Sequence, residues 1–128
     1  MATMTKTTVG LNLERDGKSG ANNPKVLYIA LGTGNSTPSV ANTALDNEVF
    51  RKAISTFANG STGDITAQIY IEPTEAVGYT IAEVGIFGGG AATNVANSGV
   101  LLARGLYSPT HTKTNAESMV IPVDITYS

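Results

Sequence analysis

Apolar and polar side chains alternate at every second position in short runs along this chain. The runs are separated by clusters of Gly, Pro, Asn and Ser, and this pattern predicts strands. At the C-terminus, Met119, Ile121, Val123, Ile125 and Tyr127 share one face, with Pro122, Asp124 and Thr126 on the other. Pro122 has no N–H to give to a ladder, which places this strand at a sheet edge or a bulge. Residues 64–72 alternate in the same way, Ile65, Ala67, Ile69 and Ile71 against Thr66, Gln68, Tyr70 and Glu72. The segment Phe50–Phe57 reaches them through Asn59-Gly60-Ser61-Thr62-Gly63, whose Asn and Gly tolerate positive φ, so a hairpin is expected. A Pro73-to-Gly78 turn then leads to Tyr79–Phe87, extending the hairpin into a meander. Lys25–Leu31 and Val100–Tyr107 are apolar almost throughout and predict strands buried on both faces.

Two long loops interrupt the strands, Gly32–Asn42 and Gly88–Ser98, and loops of this length are functional or are ordered by a partner. One helical turn is expected at Thr43–Val49, with Thr43 as cap, Asp46 near the positive end of the dipole, and Leu45 and Val49 on one face. Residues 1–24 read as an N-terminal arm or irregular lead-in, rich in Thr and Gly. Residues 25–128 read as a single domain. The expected fold class is all-β, an antiparallel, jelly-roll-like β-sandwich of six to eight strands with long loops and at most one short helix.

Composition narrows the chemistry. At 128 residues the chain is long enough for one core. Charged residues make up 14%, against about 25% in an ordinary domain, and the net charge is -2. No basic footprint for phosphate backbones or anionic lipid is present, so neither nucleic acid nor membrane is an expected partner. With no Cys and one His, thiol nucleophiles are excluded and the usual zinc ligand sets cannot be assembled within one chain, so neither a cofactor nor a metal is expected.

The motif-like stretches read as ordinary structure. Gly17-Lys18-Ser19 resembles the end of a phosphate-binding loop, but Asn12 stands where that loop needs glycine. Gly85-Ile86-Phe87-Gly88-Gly89-Gly90 lacks the glycine spacing of a dinucleotide site. His111 has no nucleophile and carboxylate beside it at a recognisable spacing, and Glu72, Glu75 and Glu83 read as turn charges or strand salt bridges rather than a glycosidase pair. No catalytic residue is expected. One charge stands out. By a period of two, Glu83 points into the core if Ile81 does, and a buried carboxylate needs a partner; Arg51 is the expected one, with Glu48 nearby.

Three segments in order resemble a widespread group of tailed-bacteriophage structural proteins. They are Ile29–Pro38 with its Gly32-Thr33-Gly34 loop, Thr43–Lys52 with a Thr-x-Leu-x-x-Glu-x-x-Arg pattern, and Tyr79–Phe87 with Ile-x-Glu-x-Gly-Ile-Phe. The resemblance spans about residues 25–128, including Ala103-Arg104 and the last strand. It implies a virion component of the tail-fibre, baseplate or capsid-decoration type, assembled in the host bacterial cytoplasm, with no enzyme activity and no cofactor. A short unit without a fibre shaft suits a capsid decoration or cement protein. A tail-fibre, neck or baseplate part is the alternative, and a carbohydrate-binding module a more remote one. Its partners would be other virion proteins, the major capsid protein first, and copies of itself, a homotrimer being the expected state. The expected assembly contacts are Thr33, Asn35, Pro38, Gly89 and Asn94 in the loops, with Tyr28, Tyr70 and Tyr107 as aromatic anchors.

Overall fold

A computed structural model describes residues 3–19, 26–59 and 64–126. Eight strands and one helix are found among them: β1 (Thr3–Lys6), α1 (Thr8–Lys18), β2 (Val26–Gly32), β3 (Glu48–Ala53), β4 (Thr56–Asn59), β5 (Asp64–Ile71), β6 (Thr80–Gly88), β7 (Val100–Thr112) and β8 (Met119–Thr126). They build two antiparallel sheets, a five-stranded one in the order β1-β7-β6-β2-β3 and a three-stranded one in the order β4-β5-β8. The expected all-β sandwich is the fold.

The alternation sets which residues meet between the sheets. Ile29, Leu31, Ile81, Val84 and Ile86 of the large sheet pack with Ala67, Ile69, Ile71, Ile121 and Val123 of the small one. All ten are essentially inaccessible to solvent. The second face of the large sheet is covered as well. There Ala30, Phe87 and Leu101 pack with Leu45 from the loop after β2, and Tyr28 packs against them. Burial on both faces explains why β2 and the first half of β7 read as continuous apolar runs. Ile125 is outside the residues whose side chains are described, and Tyr127 outside the described residues.

Residues 3–18 are not an irregular arm. β1 pairs with β7 from Thr3 opposite Leu106 to Lys6 opposite Ala103. Thr7 then caps α1, its Oγ1 accepting from Gly10 N at 3.0 Å while its hydroxyl donates to Leu101 O. Leu13 is buried in the main core. Gly10 permits the docking, because a Cβ there would lie 2.7 Å from Leu102 Cα. The helix was hidden by its weak propensity, with two glycines, an Asn and an Asp in 11 residues. Residues 20–24 of the expected arm lie outside the described residues.

The meander is also corrected. The expected strand Phe50–Phe57 is parts of two strands, β3 in the large sheet and β4 in the small one, with the chain crossing between sheets at Ile54-Ser55. The β4–β5 hairpin is present, from Thr56 opposite Gln68 to Asn59 opposite Ile65; its Gly60–Gly63 turn is outside the described residues. After β5 the chain crosses again, so β6 pairs with β2 and β7 rather than with β5. Lys113, buried, anchors that crossing by donating to Pro73 O at 3.1 Å and to Thr114 O at 2.7 Å. Pro122 lies in β8, an edge strand, as its missing N–H requires.

Candidate functional site

The outer face of the large sheet carries the densest polar constellation among the described residues, assembled from β3, β6, β7 and the loop between β2 and β3. Its centre is Glu83 on β6, with no exposed surface. A register shift between Ile81 and Glu83 breaks the period of two. Ile81 faces the core between the sheets, and Glu83 turns to the opposite face. The expectation that both share one face is corrected here, although burial of the carboxylate stands.

The expected partner is corrected too. Glu83 Oε1 accepts from Arg104 Nε at 2.9 Å, not from Arg51. Three backbone N–H groups complete the shell at 2.9 Å each: Asp46 N on Oε1, and Gly34 N and Asn47 N on Oε2. A carboxylate holding two donors on each oxygen is fully compensated for its burial. Arg104, equally buried, spends its remaining donors on Ser36 O at 3.0 Å, Asp46 Oδ2 at 3.2 Å and, at 3.5 Å, Asn42 Oδ1. Ser36, through its side chain and then its backbone N–H, holds the Asp46 carboxyl below the usual carboxylate value, and the Arg104 charge adds to this. Gly34 is required by the close approach, since a Cβ there would sit 2.1 Å from Asp46 Cβ.

These bonds also overturn the helical turn expected at Thr43–Val49. The N–H groups of Asp46 and Asn47 point at Glu83, and β3 starts at Glu48. Leu45 is buried beneath the loop and against Gly85, where a Cβ would meet Leu45 Cδ2 at 2.6 Å.

Arg51 and Glu48 form a second anchor, paired with each other. Arg51 Nε and Nη2 bind Glu48 Oε2 and Oε1 at 2.8 and 2.9 Å, in the two-pronged geometry that suits guanidinium and carboxylate. The guanidinium carbon lies 4.2 Å from the Phe87 ring centroid and 5.6 Å from that of Tyr28. Arg51 Nη1 then reaches Thr93 O and Ser98 O at 2.9 Å, and Asn97 N donates to Glu48 Oε1 at 3.0 Å. This second pair therefore ties down the Gly88–Ser98 loop as the first ties down Gly32–Asn42.

The remaining sequence candidates scatter. Thr33 Oγ1 accepts from Asn47 Nδ2 at 2.7 Å, and Gly89 is buried near Leu13. Asn35 and Asn94 are exposed on their loops, and Pro38 is half-buried. Tyr28 is half-buried beneath Arg51, Tyr70 is exposed opposite Val120 on the outer face of the small sheet, and Tyr107 packs on the main core. Glu75 binds Lys52 at 2.7 Å, and that hydrogen bond keeps its carboxyl below the ordinary value. Glu83 is separated from Glu72 and Glu75, which sit in the connection between β5 and β6. His111 Nε2 lies 2.5 Å from Glu117 Oε1 beside a shallow cleft of about 420 Å³ that Tyr107 and Ser108 also line. The Thr114 hydroxyl, and then His111, lower the Glu117 carboxyl.

Sequence reasoning missed Arg104, Asp46 and Lys113 as structural partners. Arg104 had a signal, being the only charge in the apolar run Val100–Tyr107. Lys113 had none. Chemically, the constellation holds loops in place: its carboxylates and guanidinium groups are taken up by one another and by backbone groups. Among the described residues no group of three or more His, Asp or Glu is placed to hold a metal, and no helix is long and apolar enough to cross a membrane. No family model matches the chain, and comparison with curated proteins gives no match either.

Proposed function

We propose that this protein is a non-enzymatic structural component of a bacteriophage virion, a decoration (cement) protein that binds the head shell as a closed homo-oligomer. One observation carries the reading. The residues that bear the phage resemblance, Gly34, Leu45, Glu48, Arg51, Glu83 and Arg104, lie far apart in sequence yet form the two adjoining anchors on one sheet face. They act as a unit whose effect is to hold two long polar loops in fixed positions. Rigid loops lose little conformational entropy on docking, which suits a protein that works by contact area repeated over a lattice. The low charge of the chain fits such contacts, because few ions need desolvation.

The test is binding to particles that lack the protein. Purified protein added to such particles is expected to bind the heads saturably and to raise the temperature at which the shells release DNA. Binding confined to tails would move the protein to a fibre, neck or baseplate, and no binding to either would refute the virion reading.

A further inference from the structure

The ladder between β6 and β7 is interrupted in a way that the two loop anchors do not use. Ile81 stands opposite His111 and Glu83 opposite Leu106, so Ala82 alone lies across from residues 107–110. The surplus of β7 leaves the regular ladder there, and irregularities of this kind re-aim side chains beside binding sites. The cleft of about 420 Å³ is lined by this segment and by Glu117 and Met119 at the entry to β8, and its size falls within the roughly 300–1,000 Å³ of small-molecule pockets. Tyr107 and Met119 rest on the main core, which gives the cleft a fixed apolar side.

The polar groups of the cleft are of two kinds. Glu117 is held in place, its Oε1 by His111 Nε2 at 2.5 Å and its Oε2 by the Thr114 hydroxyl at 2.8 Å. Those same bonds, Thr114 first, lower its carboxyl, so it stays an ionised acceptor. The hydroxyls of Tyr107, Ser108 and Thr110, by contrast, have no hydrogen-bond partner among the described residues.

This combination selects a class of ligand. A hydroxyl both donates and accepts, and so matches a ligand whose own hydroxyls do the same. The carboxylate adds an acceptor, and Tyr107, Pro109 and Met119 offer apolar surface to C–H groups. An anion would meet the Glu117 charge. A cation would compete with the His111 and Thr114 donors that already occupy both oxygens. An uncharged ring bearing hydroxyls on its rim and C–H groups on its faces satisfies all of these conditions together. We infer that this cleft binds a neutral saccharide, hydrogen-bonded to the free hydroxyls of β7 and to Glu117. The inference goes beyond the virion reading and does not depend on it, since sugar binding is measured on the isolated chain.

NMR titration of the native chain with glucose, galactose, mannose and N-acetylglucosamine tests this. His111 is the only histidine, so its ring signals report on the cleft without ambiguity. At least one of these sugars is expected to shift the His111 ring and the Ser108 and Thr110 amides saturably, with a Kd on the order of 1 mM for so open a site. Tyr107→Phe and Ser108→Ala each delete a hydroxyl that holds nothing in the free chain. Both variants are expected to keep the native melting temperature and to weaken that binding about three- to tenfold. Retained binding of the methyl glycoside would mark a unit of a glycan chain as the occupant, and its loss a free sugar; both support the site. No saturable shift at His111 with any of these sugars, shifts confined to the Tyr70 face, or unchanged affinity in both variants overturns the inference. Tighter binding of glucuronate or glucosamine than of the neutral sugars overturns it as well.

Discussion

Glu83→Gln is the substitution that most directly probes the loop anchor, because it keeps the shape of the side chain and removes half of its acceptors. Oε1 accepts from Asp46 N and Arg104 Nε, and Oε2 from Gly34 N and Asn47 N. An amide places an NH₂ group where one oxygen was. Whichever way it is turned, two buried donors face a donor, and Arg104 loses its fully buried counter-charge. Each orphaned buried group costs about 1–3 kcal/mol, and breaking a buried ion pair from one side about 3–5 kcal/mol. A loss of about 3–5 kcal/mol is expected, out of roughly 6–19 kcal/mol for a chain of this length. The melting temperature should then fall by about 10–20 °C. Thermal and urea denaturation measure the loss, and amide exchange should quicken first at Gly34, Asp46 and Asn47. Glu72→Gln, at an exposed position, serves as the control and should change little. A loss below about 1 kcal/mol for Glu83→Gln would refute the claim that this carboxylate holds the loop.

Arg51→Lys removes the two-pronged bond to Glu48 and the stacking on Phe87, and should cost about 1–3 kcal/mol, with faster amide exchange at Thr93 and Asn97; unchanged exchange there would show that the second loop is held by other means. Gly10→Ala would ordinarily strengthen a helix, but its Cβ would meet the Leu102 backbone at 2.7 Å, so a loss of about 1–3 kcal/mol is expected, and a rise in melting temperature would contradict the docking of α1. Asp46, Glu75 and Glu117 all have lowered folded-state pKa values, against ordinary values of 3.8, 4.5 and 4.5. The stability they contribute is complete above those values and is lost as pH falls through the folded ones, so urea midpoints measured from about pH 6 to pH 3 should decline at the acid end, and less steeply in Glu117→Gln. Pro122→Val restores the missing donor on β8 and should allow larger assemblies by light scattering; an unchanged size would show that proline is not what closes that edge.

Strand positions were legible wherever a strand buries one face, as in β5 and β8, or is covered on both, as in β2. There the period of two or the unbroken apolar run follows directly from packing. Partnering was less legible. That Ile54-Ser55 carries the chain from one sheet to the other leaves no mark in the sequence, because Phe50–Phe57 holds no Gly, Pro or Asn at the break. α1 was concealed because its glycine, costly to an isolated helix, is what lets it touch β7. Burial of Glu83 was readable from its apolar surroundings, but its partner was not. The register shift between Ile81 and Glu83 put it on the other face, beside Arg104 on the neighbouring strand rather than Arg51. Long loops read in sequence as functional or ordered by a partner spend their Gly34, Ser36, Thr93 and Ser98 groups within the chain.

The role as a virion part is tested most directly by the copy number of the chain in purified particles, measured by quantitative mass spectrometry against the major capsid protein. The decoration reading predicts a ratio on the scale of the shell protein. A small number matching tail or portal symmetry would contradict decoration, and absence from particles would contradict the virion role altogether.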